Sequence, residues 1–175
     1  MKPKWWNKAK KQLSKRDIVM KKLLSVYKGH LTTRNNFFYS LTRSIISQQI
    51  SVSAADSVFS KFEKKCRGKI NPKIVSKLSI TDLRRCGLSR MKALGIKSLA
   101  DKILDKSFNP KLIKKMSDEE AINYLSTLRQ IGRWSSEMVL IFFYNRPNIW
   151  PVQDIGLLRA ISNNYKKKYL PPKSF

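Results

Sequence analysis

Apolar positions recur at intervals of three and four along almost the whole chain. Ile18, Val19, Leu23, Val26 and Tyr27 predict an amphipathic helix over 17–28. Asn36 is placed to cap a second, with Phe37, Leu41, Ile45 and Ile46 on its inner face. Ser53 with Asp56 gives the start signal of a third, over 55–64, which turns Ala55, Val58, Phe59 and Phe62 inward. Pro72 follows Asn71 at a first-turn position, and Thr81 opens a brief helix that Gly87 ends. Ser89 opens a longer one to about residue 106, with Leu94, Leu99 and Ile103 inward, and Asn109-Pro110 starts another. Ser117 and Glu120 form a capping box ahead of Ala121, Ile122 and Leu125. A turn at 128–133 leads into a helix over 134–144, Pro147 and Pro151 mark an irregular loop, and Asp154 begins a last helix through Ile161. No period-two pattern of comparable strength appears, nor any internal repeat. The expectation is an all-α fold, one compact multi-helix domain over 1–175.

Charge changes this picture. The 175 residues carry 37 Lys and Arg against 11 Asp and Glu, a formal net charge of +26. Self-repulsion on that scale destabilises a compact state unless a polyanion is the usual partner. Nucleic acid is the first candidate and an anionic membrane surface the second, and a generally Lys-rich proteome would give the same excess. The longest apolar run, 138–144, is seven residues, far short of the roughly 20 needed to span a bilayer. The basic N-terminus lacks the apolar core of an export signal. Cys66 and Cys86 are too few for a disulfide framework or a four-ligand metal site, so they are expected to be reduced thiols in a cytosol-like compartment. The lone His30 follows Gly29 at a predicted helix end, where a cap or a solvated side chain is the simplest reading.

Three stretches can carry chemistry. The first is the helix, short turn and helix from Asp118 to Tyr144. Its Gly132 allows close approach of a ligand, Ser135 offers a hydroxyl, and Arg133 adds charge. Unpaired N–H groups and the dipole at the start of the second helix would favour an anion; an ordinary helical hairpin is the plainer alternative. The second is Pro151-Val152-Gln153-Asp154-Ile155-Gly156, with Asp154 lying 20 residues beyond Trp134. An Asp at a helix start is ordinarily a cap, yet a capping carboxylate can still present an oxygen to a ligand. The third is Ile45-Ile46-Ser47-Gln48-Gln49-Ile50-Ser51, where paired amides end an apolar helix. They could hydrogen-bond base edges, fill the gap left by an extruded base, or simply be solvated.

Together these stretches resemble the helix-hairpin-helix superfamily of DNA glycosylases, and within it the 3-methyladenine DNA glycosylase II group. The residues that carry the resemblance are Ser40-Leu41-x-x-Ser44-Ile45-Ile46-Ser47-Gln48-Gln49-Ile50-Ser51, Gly87-Leu88-Ser89-x-x-Lys92-Ala93, Leu128-x-x-Ile131-Gly132-Arg133-Trp134-Ser135-Ser136-x-Met138 and Pro151-Val152-x-Asp154-x-Gly156. The resemblance implies that Asp154 is the catalytic aspartate and that Trp134 and Met138 line the base pocket. It implies that Gln49 is the wedge that fills the duplex, and that Gln130, Gly132 and Ser135 hold a phosphate, with Arg133 beside them. It further implies that the carbonyls of Ser126, Leu128 and Ile131 can ligate a monovalent cation, Na+ or K+, bridging to DNA.

The function this resemblance implies is base-excision DNA repair. The expected enzyme is a monofunctional hydrolase that cleaves the N-glycosidic bond of alkylated purines such as 3-methyladenine in double-stranded DNA. It would work as a monomer, without a required cofactor and without a membrane, in the cytoplasm, on the nucleoid if the source is bacterial. Bifunctional relatives place a nucleophilic lysine where this chain has Trp134, and iron–sulfur relatives need four cysteines after the aspartate, where this chain has none. Two alternatives stay open: a catalytically silent helix-hairpin-helix DNA-binding module, and a bifunctional oxidised-base glycosylase with lyase activity. The chain departs from the family in two places. Arg129-Gln130 replaces the usual Pro-Gly of the hairpin, and the chain stops at Phe175 after Pro171-Pro172-Lys173-Ser174, so the family's Trp-, Arg- and Tyr-rich C-terminal helix is expected to be missing.

Overall fold

A computed structural model of the chain describes residues 2–32 and 34–168, so the Pro171-to-Phe175 end lies outside the described residues. Among the described residues ten α-helices follow one another: α1 (Trp6–Arg16), α2 (Ile18–Val26), α3 (Phe37–Ser47), α4 (Val52–Lys65), α5 (Pro72–Val75), α6 (Ile80–Arg85), α7 (Arg90–Leu104), α8 (Asp118–Ser126), α9 (Arg133–Phe142) and α10 (Ile155–Tyr165). A 3-10 turn, Leu112–Lys115, precedes α8, and no strand occurs among the described residues. The chain is all-α, as the periodicity predicts.

Local chemistry sets most boundaries. Asn36, Asn71, Ser89 and Asp154 each turn a side-chain oxygen onto an N–H of the helix that comes next. Ser117 and Glu120 complete a reciprocal capping box. Two predicted starts shift. Ser51, not Ser53, caps α4 by accepting the Ala54 N–H at 3.3 Å, because the chain is already helical from Val52. Asp56 turns instead to Arg43 at 2.7 Å. Ser79, not Thr81, opens α6, since Asp82 three residues later closes a capping box with it. The Asn109-Pro110 helix is only the 3-10 turn. The periodicity does not predict α1, because lysines dilute its apolar stripe.

The core is one cluster contributed by α3 to α9. Leu41, Ile45, Phe62, Ile96, Leu125 and Leu140 are fully buried within it. Each such side chain contributes about 1.5–3 kcal/mol of burial. Helices α1, α2 and α10 bury no residue fully. Specific polar contacts fasten them instead. The Trp5 indole donates to the Asn145 carbonyl at 2.9 Å, and the Tyr165 hydroxyl donates to Asp17 at 2.7 Å while Asp17 caps α2. These bonds give Trp5 a place on the far end of α9. No described helix is long and apolar enough to cross a membrane.

Candidate active site

The α8–α9 hairpin turns within 127–132. Leu128 and Ile131 plug it into the core, and the Ile131 N–H donates to the Leu128 carbonyl at 3.1 Å. Gln130 sits between them in the left-handed region, φ +68°. This is the position where the family pattern has glycine, so a side chain here carries strain of about 1 kcal/mol. Gly132 stands at the N-cap of α9 with φ −96°, and no side chain caps that helix. A Cβ at Gly132 would meet nothing within 4 Å, so the turn leaves open space outside it. The first-turn N–H groups of α9 thus point toward space that an anion can enter.

The hairpin faces the end of α3 across a cleft of about 600 Å³. Gln49, Gln130, Gly132, Trp134 and Ser135 line it, together with Gln48, the other member of the amide pair, and Lys92, to which the sequence assigns no role. Gln48 donates through Nε2 to the Gln130 carbonyl at 2.9 Å and to Ser135 Oγ at 3.1 Å. Lys92 Nζ donates to the carbonyls of Ile46 at 2.8 Å and Gln48 at 2.6 Å. Burial pushes the Lys92 ammonium below its usual value. Gly95, one turn along α7, admits the hairpin. A Cβ there would stand 2.8 Å from Gln130 Cγ and 3.3 Å from the Arg129 carbonyl. Nothing in the sequence marks this need, because the partner is 35 residues away.

Asp154 ends the loop after α9. Its Oδ1 accepts the Leu157 N–H at 2.7 Å, and its Oδ2 accepts the Trp134 indole N–H at 2.9 Å. Both carboxylate oxygens of Asp154 are thus engaged, and the residue itself does not line the cleft. Trp134 is the wall between them, with its ring on the cleft and its nitrogen on the acid.

Besides Asp154, two more residues predicted for the site stand off the cleft. Met138 lines a small pocket of about 60 Å³ with Ser44, Phe142 and Phe143, rather than the cleft beside Trp134. One turn of helix keeps Met138 on the face of Trp134 but sets it about 6 Å farther along the axis, beside Ser40 and Ser44 of α3. Arg133 folds back onto α8, where its guanidinium holds Glu119 in two bonds of 2.5 and 2.9 Å and reaches Glu137 at 3.2 Å. The arginine holds the Glu119 carboxyl below its usual range. Burial pushes the Glu137 carboxyl up, and Arg133 offsets part of that rise.

This arrangement has known counterparts. Residues 42–173 match the HhH-GPD superfamily base excision DNA repair protein family. The chain is 31% identical over 139 residues to DNA-3-methyladenine glycosylase 1 of Schizosaccharomyces pombe, covering 78% of this chain and 59% of that protein. It is 33% identical over 124 residues to the alkylbase DNA glycosidase-like protein mag2 of the same yeast, covering 69% and 58%. The chain thus spans less than two thirds of the length of these relatives. Among solved structures, the S. pombe 3-methyladenine DNA glycosylase in complex with abasic DNA superposes with a TM-score of 0.78 at 27% identity, covering 94% of this chain and 84% of that one. With the hairpin, the cleft and the family match over most of its length, the chain belongs to the HhH-GPD superfamily of base excision DNA repair proteins.

Proposed function

We propose that this chain is a monofunctional DNA glycosylase of the 3-methyladenine type, which binds double-stranded DNA and hydrolyses the N-glycosidic bond of alkylated purines. The observation that carries this reading is the Trp134–Asp154 hydrogen bond, which ties the acid to a residue that lines the cleft. An indole face able to stack a base and a carboxylate able to meet its sugar are held at a fixed separation. The relatives' names support the substrate class.

The +26 charge favours binding of any duplex, with strong salt dependence. An enzyme acting on a base must first extrude it, at a cost of a few kcal/mol that is lower for a damaged base. Gln49 fills the vacated stack. An N-alkylated purine is cationic, so the electron-rich face of Trp134 attracts it as well as stacking on it. As the base departs, the deoxyribose gains oxocarbenium character. The Asp154 carboxylate stabilises that cation and orients the attacking water. Its two anchored oxygens keep it in place without reorganisation. The cleft's lysine, Lys92, has its ammonium engaged by two carbonyls, so it is poorly suited to attack the sugar.

The carbonyls at the end of α8 and in the turn suit a hard monovalent cation. Ser126, Leu128 and Ile131 would hold it, although the Leu128 carbonyl already accepts one N–H. Such an ion supplies positive charge beside a phosphate.

The deciding experiment measures free base released from methylated duplex DNA by the chain and by Asp154→Asn. The expected result is release by the wild type and a loss of about 10²–10³-fold in the variant, with duplex binding kept. Binding by both with release by neither would establish a DNA-binding module instead. Borohydride trapping of a covalent adduct would establish lyase chemistry.

A further inference from the structure

Hydrogen bonds beneath the cleft form a chain through three elements. Lys92 of α7 donates to the carbonyls of Ile46 and Gln48, at 2.8 and 2.6 Å. Gln48 passes the connection on through its amide, to the Gln130 carbonyl at 2.9 Å and Ser135 Oγ at 3.1 Å. Between these contacts and the start of α4 stands Gln49, with φ +56° and its side chain on the cleft.

The last carbonyls of a helix lack intrahelical donors and carry the negative end of its dipole. A cation placed against them both satisfies and anchors them. The left-handed conformation is disfavoured for a residue with a side chain. It persists where the surroundings over-determine it. At Gln49 the surroundings are the carbonyl just before it, held by Lys92, and the Gln48 side chain, held by the hairpin. The third proton of Lys92 is free of these two bonds, but the nitrogen has no freedom to leave them without releasing the turn.

We propose that Lys92 is a positioning residue for base extrusion: by pinning the carbonyls of Ile46 and Gln48 it fixes the left-handed turn that aims Gln49 at the duplex. This rests on the reading of Gln49 as the wedge. Lys92 acts through Gln49 and touches no reacting atom.

The test reads extrusion directly, from the fluorescence of 2-aminopurine in a mismatched duplex at saturating protein. Wild type raises the signal. Lys92→Met lowers the extrusion constant by about 10- to 100-fold, the scale of a wedge displaced by about 1 Å. Gln49→Ala does the same, and the double variant falls no further, because the two residues act as one unit. Thermal melting reports whether Lys92→Met is folded; where it is not, Lys92→Gln, which keeps a neutral donor, takes its place in the cycle. Wild-type extrusion in the lysine variant, or losses that add to those of Gln49→Ala, overturns the proposal. Base release assayed on the same samples separates the two readings. A wild type that extrudes but releases no base sinks the glycosylase assignment and leaves the role of Lys92 standing. A wild type that binds duplex without any rise sinks the wedge and Lys92 together.

Discussion

The Trp134 indole N–H donates to Asp154 Oδ2 at 2.9 Å, while the other oxygen of Asp154 caps α10 through Leu157 at 2.7 Å. In the proposed glycosylase the indole does two things, offering a stacking face and orienting the acid. Trp134→Phe keeps an aromatic face and removes only the donor. It should lower kcat/KM for alkylated duplex by roughly tenfold, about 1.4 kcal/mol, with little change in duplex affinity. Single-turnover kinetics beside a binding isotherm check this. An unchanged rate would show that the cap alone orients the carboxylate.

Cys66 is fully buried, and burial pushes its thiol up to about 11 from an ordinary 9.0. A group whose folded value is raised favours the protonated fold. Its contribution is complete below pH 9.0 and is lost as pH rises toward about 11. Urea unfolding between those pH values should show falling stability, with a smaller fall in Cys66→Ala measured against its own value at neutral pH. Native protein at about pH 8 should also resist thiol reagents at both cysteines, which react once the chain is unfolded.

The helices are legible in the sequence wherever a cap and an apolar stripe agree, as at Asn36 with Phe37, Leu41 and Ile45, or Ser117 with Glu120. The starts of α4 and α6 are not, because Ser51 and Ser53, or Ser79 and Thr81, compete as caps within two residues. The family pattern names Trp134 and Asp154 for one site, but neither the hydrogen bond that joins them nor the place of Asp154 off the cleft lining can be read from it. The roles of Gly95, Gln48 and Lys92 are not legible either, because each depends on a partner 35 to 87 residues away. Spacing along a helix does not report what crosses it.

Gly95 and Gln130 form one such contact. A methyl group at Gly95 would stand 2.8 Å from Gln130 Cγ, so the hairpin must move to admit it. Gly95→Ala should destabilise by about 1–3 kcal/mol, although alanine is the better helix former. Gln130→Gly relieves the left-handed side chain at φ +68° and should stabilise by about 1 kcal/mol, a rise of about 2–4 °C in Tm. It also removes the atoms nearest the new methyl. The double variant should then recover most of the loss, and denaturant titration of the four proteins measures that coupling. Strict additivity would mean that the Arg129 carbonyl, at 3.3 Å, is the true obstacle.

Arg133 sits at the start of α9, beside the open end of the hairpin, yet Glu119 and Glu137 neutralise it. The sequence of the turn puts that charge beside a prospective phosphate. The structure shows why it is not free to act there: α8 supplies Glu119 from its acidic first turn, within reach of the guanidinium. Glu119→Gln removes the exposed, ionised partner and leaves a neutral amide of the same shape. The guanidinium, then held by Glu137 alone, turns its freed amino end to a phosphate and should steepen the dependence of log binding constant on log salt by up to about 0.9. Arg133→Ala should leave that slope at its wild-type value, since a charge already compensated displaces no counterion. Duplex titrations over a series of salt concentrations resolve the difference. A steeper slope in neither variant, or a shallower one in Arg133→Ala, would mean that the arginine already trades Glu119 for phosphate when DNA binds.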